Sequence, residues 1–222
     1  MAAMIVTYLG HECFKVQYGD LTIALNPPAK SSSFKSSKFG ADIVLQSLEH
    51  EDMNGGADMS YGDKVPFVIS GPGEYETNGI FVHGIAGVSE YDSKNTNKDN
   101  GFGGRRINTI YSLSVDGMNL LFLGAQGAPL PSTLAEAVDT VDILFVPIGG
   151  EGVYDAKEAY KIAMNLEAKL VVPMHFESIK DESLKSFIKE AGESPEPLDK
   201  LTVKKKDLDG KEGDIVILAP QA

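Results

Sequence analysis

The chain has 222 residues, 42% of them hydrophobic and 23% charged, and carries a formal charge of −12. That apolar share supplies the core of a soluble globular fold, whereas the acidic balance argues against nucleic-acid and anionic-membrane partners, which need a basic footprint to neutralise phosphates. Cys13 is the only cysteine, so intramolecular disulfides and multi-cysteine zinc sites are excluded and Cys13 reads as a small buried apolar residue.

In chain order, residues 4–9, 13–17 and 21–25 read as strands, with Tyr18-Gly19-Asp20 as a hairpin turn. Residues 41–45 form a short apolar run that delivers the polar loop 47–54. Further strands are expected over 66–70, 80–85, 107–115 and 118–123, the last two joined by Asp116-Gly117. Gly71, Gly73 and Gly79 read as turn glycines rather than a phosphate loop, because no Gly-rich motif opens a helix there. Residues 89–106 are polar and rich in Gly and Asn, the pattern of a long mobile loop.

From Pro131 onward helical spacing alternates with β-branched runs. Ser132 is expected to cap a helix to about residue 139, Asp155 one through 166, and 181–191 forms a third, with buried strands at 142–147 and 169–173. Residues 202–205 and 214–218 suggest a closing pair of strands. Lys204, Lys205 and Lys206, the only basic run, read as a solvated strand end. Neither a charged, then long apolar, leader nor a bilayer-length apolar run is present, so a cytoplasmic location is the expectation.

The run Tyr8-Leu9-Gly10-His11-Glu12-Cys13-Phe14 resembles the opening of the metallo-β-lactamase superfamily, specifically its ascorbate-6-phosphate-lactonase-like branch. Other landmarks follow in order: Ala41-Asp42-Ile43-Val44, Gly71-Pro72-Gly73-Glu74-Tyr75-Glu76, Leu121-Phe122-Leu123-Gly124-Ala125-Gln126-Gly127, Asp142-Ile143-Leu144-Phe145-Val146-Pro147 and Val171-Val172-Pro173-Met174-His175-Phe176. The resemblance covers essentially the whole chain. It implies an α/β fold, a four-layer αββα sandwich formed by 1–222 as a single domain, with a strand-rich half to about 130 and an α/β half from 131.

It also implies descent from hydrolases in which a His-x-His-x-Asp-His loop, a later His, the Asp of Gly-Asp-x-Gly and a C-terminal His hold two metal ions that activate a water. Laid on this sequence, the loop reads Leu48-Glu49-His50-Glu51-Asp52-Met53. Leu48 and Met53 replace two ligands, Tyr91 stands near the later His, Ala125 replaces the bridging Asp, and Asn26-Pro27 stands where Asp-Pro is usual. His50, Asp52 and His175 remain as the remnant metal set, with Asp52 and His50 as the candidate catalytic groups. His11, Glu74 and Tyr91 are candidates for contacts to substrate or to the site from behind.

The resemblance thus implies a fold retained with most of the dinuclear site lost, no cofactor, and a cleft filled or reused. A second reading keeps a mononuclear hydrolase of a lactone, ester or phosphodiester, with one Zn or Mn ion on His50, Asp52 and His175, helped by Glu49, Glu51 or Glu74. A third is a non-catalytic module for a small ligand or protein, its cleft lined by Leu48, Met53 and Tyr91. His83 reads as a structural strand residue. Arg105 and Arg106 read as surface groups, with an anionic-ligand role as the alternative.

Overall fold

A computed structural model describes residues 2–35, 39–94 and 103–221. Its strands build two sheets. The first contains β1 (Met4–Tyr8), β2 (Phe14–Tyr18), β3 (Leu21–Leu25), β4 (Ile43–Leu45), β5 (Phe67–Ile69) and β12 (Leu201–Val203), in the order β12-β1-β2-β3-β4-β5. The second contains β6 (Gly73–Thr77), β7 (Ile80–Ser89), β8 (Arg106–Val115), β9 (Met118–Phe122), β10 (Ile143–Pro147), β11 (Leu170–Met174) and β13 (Asp214–Ile215), in the order β13-β11-β10-β9-β8-β7-β6.

The sheets stack because alternate residues of each point inward, as period-2 strands require. Ile23, Leu25, Ile43 and Leu45 join the main core, whereas Ala24 and Val44 face the other way and pack with Ala41 and Met59. Phe14 of the first sheet meets Phe145 of the second edge-on at 4.8 Å. β10 and β11 are buried at every position, as parallel strands covered on both faces should be.

The outer face of the second sheet is covered by α2 (Ala156–Asn165) and α3 (Glu182–Ala191), with α1 (Thr133–Ala137) a short turn of helix against β7. α2 starts at a capping box: the Asp155 carboxylate accepts the Glu158 N–H at 2.8 Å, and Glu158 accepts the Asp155 N–H at 3.2 Å. On the first sheet the outer cover is thinner. The 3₁₀ turn Gly55–Asp58 lies there, with Gly56 so close to Val44 that a Cβ would sit 3.1 Å from Val44 Cγ1.

Several expectations change. Gly73 is not a turn glycine but opens edge strand β6, whereas Gly79 does sit in a turn, Asn78-Gly79, where φ is 51° and 71°. Ser132 makes no side-chain cap. The two C-terminal strands do not pair with each other: β12 joins β1 antiparallel, and β13 joins β11 parallel. Of the expected mobile loop, Ser89 ends β7 and Arg106 begins β8, while 95–102 lie outside the described residues.

The basic run is not simply solvated. Lys205 and Lys169 place Nζ 2.6 and 2.8 Å from the carboxylate of Asp142, which is fully buried. Burial pushes the Asp142 carboxyl up, but the two lysines and the Asn119 N–H outweigh it and hold it below its usual value. Because Lys205 follows β12 and Asp142 precedes β10, this clamp ties the sheets together.

Candidate functional site

The loops after β3, β4, β7, β9, β10 and β11 meet the β1–β2 turn at one edge of the sandwich, the carboxyl side of its parallel strands. The fully buried Tyr8 hydroxyl closes this edge. It lies 2.7 Å from His11 O and 2.5 Å from Phe176 O, and accepts the Phe176 N–H at 3.2 Å. The His175 N–H donates to His11 O at 2.5 Å. His11 and His175 both take left-handed backbone, φ 53° and 68°, a conformation that non-glycine residues keep only where the surroundings impose it. Their rings approach to 4.2 Å, and His11 stacks on Phe34 at 4.1 Å.

Beneath the histidines lies a polar network. Glu12, fully buried, sets Oε1 2.7 Å from His175 Nδ1, and its Oε2 accepts from Asn26 Nδ2 at 2.8 Å. Asn26 also donates to Ser47 Oγ at 2.8 Å and accepts the Ser47 N–H at 2.7 Å. Burial dominates the titration of all three ionisable groups: it raises Glu12 to about 7, lowers His175 to about 4 and lowers His11 to about 3, with the neighbouring His175 adding to the last.

Above it, the loop after β4 presents His50 and Asp52. Asp52 Oδ1 accepts from Ser32 Oγ at 2.5 Å, and Oδ2 accepts from the Tyr91 hydroxyl at 2.7 Å. His50 Nδ1 lies 3.3 Å from Asp52 Oδ2, and its Nε2 lies 3.2 Å from Asp92 Oδ2. Burial first, and then donation to Asp52, pushes the Tyr91 phenol well above its usual value, so it acts as a hydrogen-bond donor. Tyr91 stands edge-on to both His50 and His175, with ring centroids 5.1 and 5.3 Å away.

Leu48, Met53, Ala125 and Val153 form a separate buried hydrocarbon cluster, with Tyr91 packed against it. Leu48 bridges to Asn108 of β8, and the Asn108 side chain accepts the Ala125 N–H at 3.0 Å. Over these groups opens a cleft of about 870 Å³. Leu48 and Met53 do not line it. Its walls carry Ser31, Ser33, Glu51, Glu90, Asp92 and Glu151 among others, and it is far more polar than the expected apolar groove.

The order of these elements and the loops at this edge can be set beside known proteins. A family model for the β-lactamase superfamily domain matches residues 5–175. The chain belongs to this superfamily. A metal-dependent hydrolase from Carboxydothermus hydrogenoformans is 28% identical over 195 residues, 78% of this chain and 84% of the relative. Another from Natranaerobius thermophilus is 27% identical over 207 residues, 84% of this chain and 92% of the relative. Among solved structures, a Thermotoga maritima protein described as a candidate Zn-dependent hydrolase of the metallo-β-lactamase superfamily superposes with a TM-score of 0.74 at 25% identity, covering 97% of this chain and 98% of the other. The metallo-β-lactamase fold protein YhfI of Bacillus subtilis superposes with a TM-score of 0.61 at 11% identity, covering 99% and 98%.

In this metallo-β-lactamase-fold chain the structure brings His11, His50, Asp52, Tyr91 and His175 together. Leu48, Met53 and Ala125 also lie side by side. Glu74 does not reach the site. It is exposed on edge strand β6 opposite His83, about 20 Å down β7 from Ser89 at about 3.3 Å per residue. Glu49 and Glu51 are exposed and alternate with His50 and Asp52, so they do not converge with them. Arg106 donates to Glu49 O at 3.0 Å and braces the loop. Among the described residues no three His, Cys, Asp or Glu side chains are grouped so as to hold a metal ion.

Sequence reasoning passed over Glu12, Ser32 and Asp92. Glu12 had a signal: a carboxylate between His11 and Cys13 in an otherwise apolar opening stretch must be buried, so it needs partners. Ser32 and Asp92 had none, because they reach Asp52 and His50 only through loop geometry.

Proposed function

We propose that this chain keeps the metallo-β-lactamase fold without its two-metal chemistry, and that the polar cleft binds a small ligand. The observation that carries this reading is the buried cluster of Leu48, Met53, Ala125 and Val153: hydrocarbon occupies positions that need ligating atoms for a dication. The donor set agrees. Both oxygens of Asp52 are already hydrogen-bonded to Ser32 and Tyr91, and Ala125 offers no anion to offset repulsion between two closely spaced dications. The residues therefore do not fit a dinuclear site.

The competing reading, a single ion on His50, Asp52 and His175, draws support from the metal dependence in the relatives' names and from the Glu12–His175 contact, since metal-bound histidines commonly rest the second ring nitrogen on a carboxylate. Metal content by mass spectrometry decides between them, on protein purified without chelator and dialysed against Zn²⁺ or Mn²⁺, beside a His50→Ala/His175→Ala control. The proposal predicts sub-stoichiometric metal in both; near-stoichiometric metal lost in the control would establish the single-ion reading. Joint replacement Leu48→His, Met53→His, Tyr91→His and Ala125→Asp should raise metal retention, and no gain would count against these residue assignments.

A further inference from the structure

The two sheets have four edge strands among the described residues, and three of them carry polar or charged groups. β6 exposes Glu74 and Glu76, β12 exposes Thr202 and runs into Lys204, and β13 begins at Asp214. Charge of this kind is a common protection against edge-to-edge pairing. β5 lacks it. Within Val65-Pro66-Phe67-Val68-Ile69, Val65 is 77%, Phe67 49% and Val68 41% exposed, and no charged side chain interrupts the run.

The main chain of this edge also points outward. The Phe67 N–H donates to Asp42 O at 2.8 Å and Ile69 O accepts the Gln46 N–H at 2.9 Å, so Phe67 and Ile69 direct their polar groups to β4. Strand alternation then turns the N–H and C=O of Val68, the C=O of Pro66 and the N–H of Ser70 to the open side. These groups are symmetric about Val68. Two antiparallel copies in register there exchange two hydrogen bonds between the Val68 residues and one from each Ser70 N–H to the facing Pro66 C=O. The missing donor of Pro66 leaves only the Ser70 C=O to water. In the same register Phe67 stands opposite Ile69 of the second copy, and Val68 opposite itself.

We infer that β5 is the dimerisation edge of this protein, pairing antiparallel with β5 of a second copy about a two-fold axis at Val68. The symmetric placement of donors and acceptors argues for an identical strand as the occupant, and it joins the two six-stranded sheets into one. With Tyr61, 72% exposed in the turn before β5, the exposed apolar side chains amount to roughly 500 Å² per copy, against about 800 Å² per partner for a standard interface. The dimer is therefore reversible and concentration-dependent. The charge of −12 on each copy, with Glu74 and Glu76 on the neighbouring edge, opposes the approach, so association tightens as salt screens it. None of this depends on what the cleft holds.

The test is sedimentation velocity of the full chain from micromolar to near-millimolar concentration. The wild type is expected to pass from monomer to dimer, and to do so at lower concentration when salt is raised. Val68→Lys and Val68→Glu should each weaken dimerisation by tenfold or more, because the two-fold axis sets like charges face to face, whereas an equimolar mixture of the two should restore it. Val68→Cys covers the case in which a charge at this position unfolds the chain. Its facing Cα atoms would lie about 5.5 Å apart, within disulfide reach, and native Cys13 is buried. It should form a disulfide-linked dimer in air, and Ser114→Cys, exposed on the second sheet, should not. A wild type that stays monomeric would leave the edge to a strand of another protein and overturn the inference. So would a dimer that both charged variants leave intact, a mixture that fails to restore it, or cross-linking no greater at 68 than at 114.

Discussion

Glu12→Gln isolates the least ordinary group in the fold. Glu12 is buried against His175 and Asn26, and burial lifts its pKa from 4.5 to about 7. Between those values the native state holds a proton that the unfolded chain releases, so stability is fully present below about pH 4.5 and is lost as pH rises through 7. A rise of that size corresponds to about 3 kcal/mol. Gln has the same shape and no titration. Its carbonyl can face Asn26 Nδ2 while its amide donates to His175 Nδ1, which needs only the other imidazole tautomer. The variant should therefore gain on the wild type by about 3 kcal/mol between pH 4.5 and pH 8.5. Guanidinium unfolding at half-unit pH steps, with free energies extrapolated to water, measures the difference. A pH-independent difference, or one that moves toward the wild type at high pH, would refute the reasoning and mean that Glu12 is ionised and stabilised by a protonated His175.

His175, lowered to about 4, and His11, lowered to about 3, must gain protons to unfold in acid, so each contributes stability that is present above 6.5 and lost toward the lower value. His175→Asn should therefore flatten the acid limb of the stability curve by about one proton, or about 1.4 kcal/mol per pH unit between pH 4 and 6.5, and an unchanged slope would contradict this. Asp142→Ala removes the carboxylate that joins the sheets and leaves the Asn119 N–H without its acceptor, while the partly exposed Lys169 and Lys205 regain water; it should cost about 2 kcal/mol in chemical denaturation, and a loss below about 0.5 kcal/mol would show the clamp to be dispensable. Gly152, at φ +105°, would place a Cβ 2.4 Å from the backbone of Glu90, so Gly152→Ala should cost about 2 kcal/mol or more and lower the melting temperature, and full tolerance would mean that the cleft wall yields.

Local sequence determined most of the framework. Alternation of apolar residues placed nearly all the strands, Asp116-Gly117 formed its turn with φ 51° and 73°, and Asp155 with Glu158 made the capping box, because each of these signals acts over a few residues. The ordered motifs likewise singled out Leu48, Met53 and Ala125, whose side chains pack in one buried cluster.

Tertiary structure alone decided which strands close which sheet, that Lys205 serves Asp142, and that Tyr91 donates to Asp52 across 39 residues of sequence. It alone joined Glu12 to His175 across 163 residues. The physical reason is common to all of these. A backbone turn or a helix cap is satisfied by its own neighbours, whereas a buried carboxylate, phenol or imidazole takes whichever partner the packed core brings within hydrogen-bonding reach, and no local pattern records that partner.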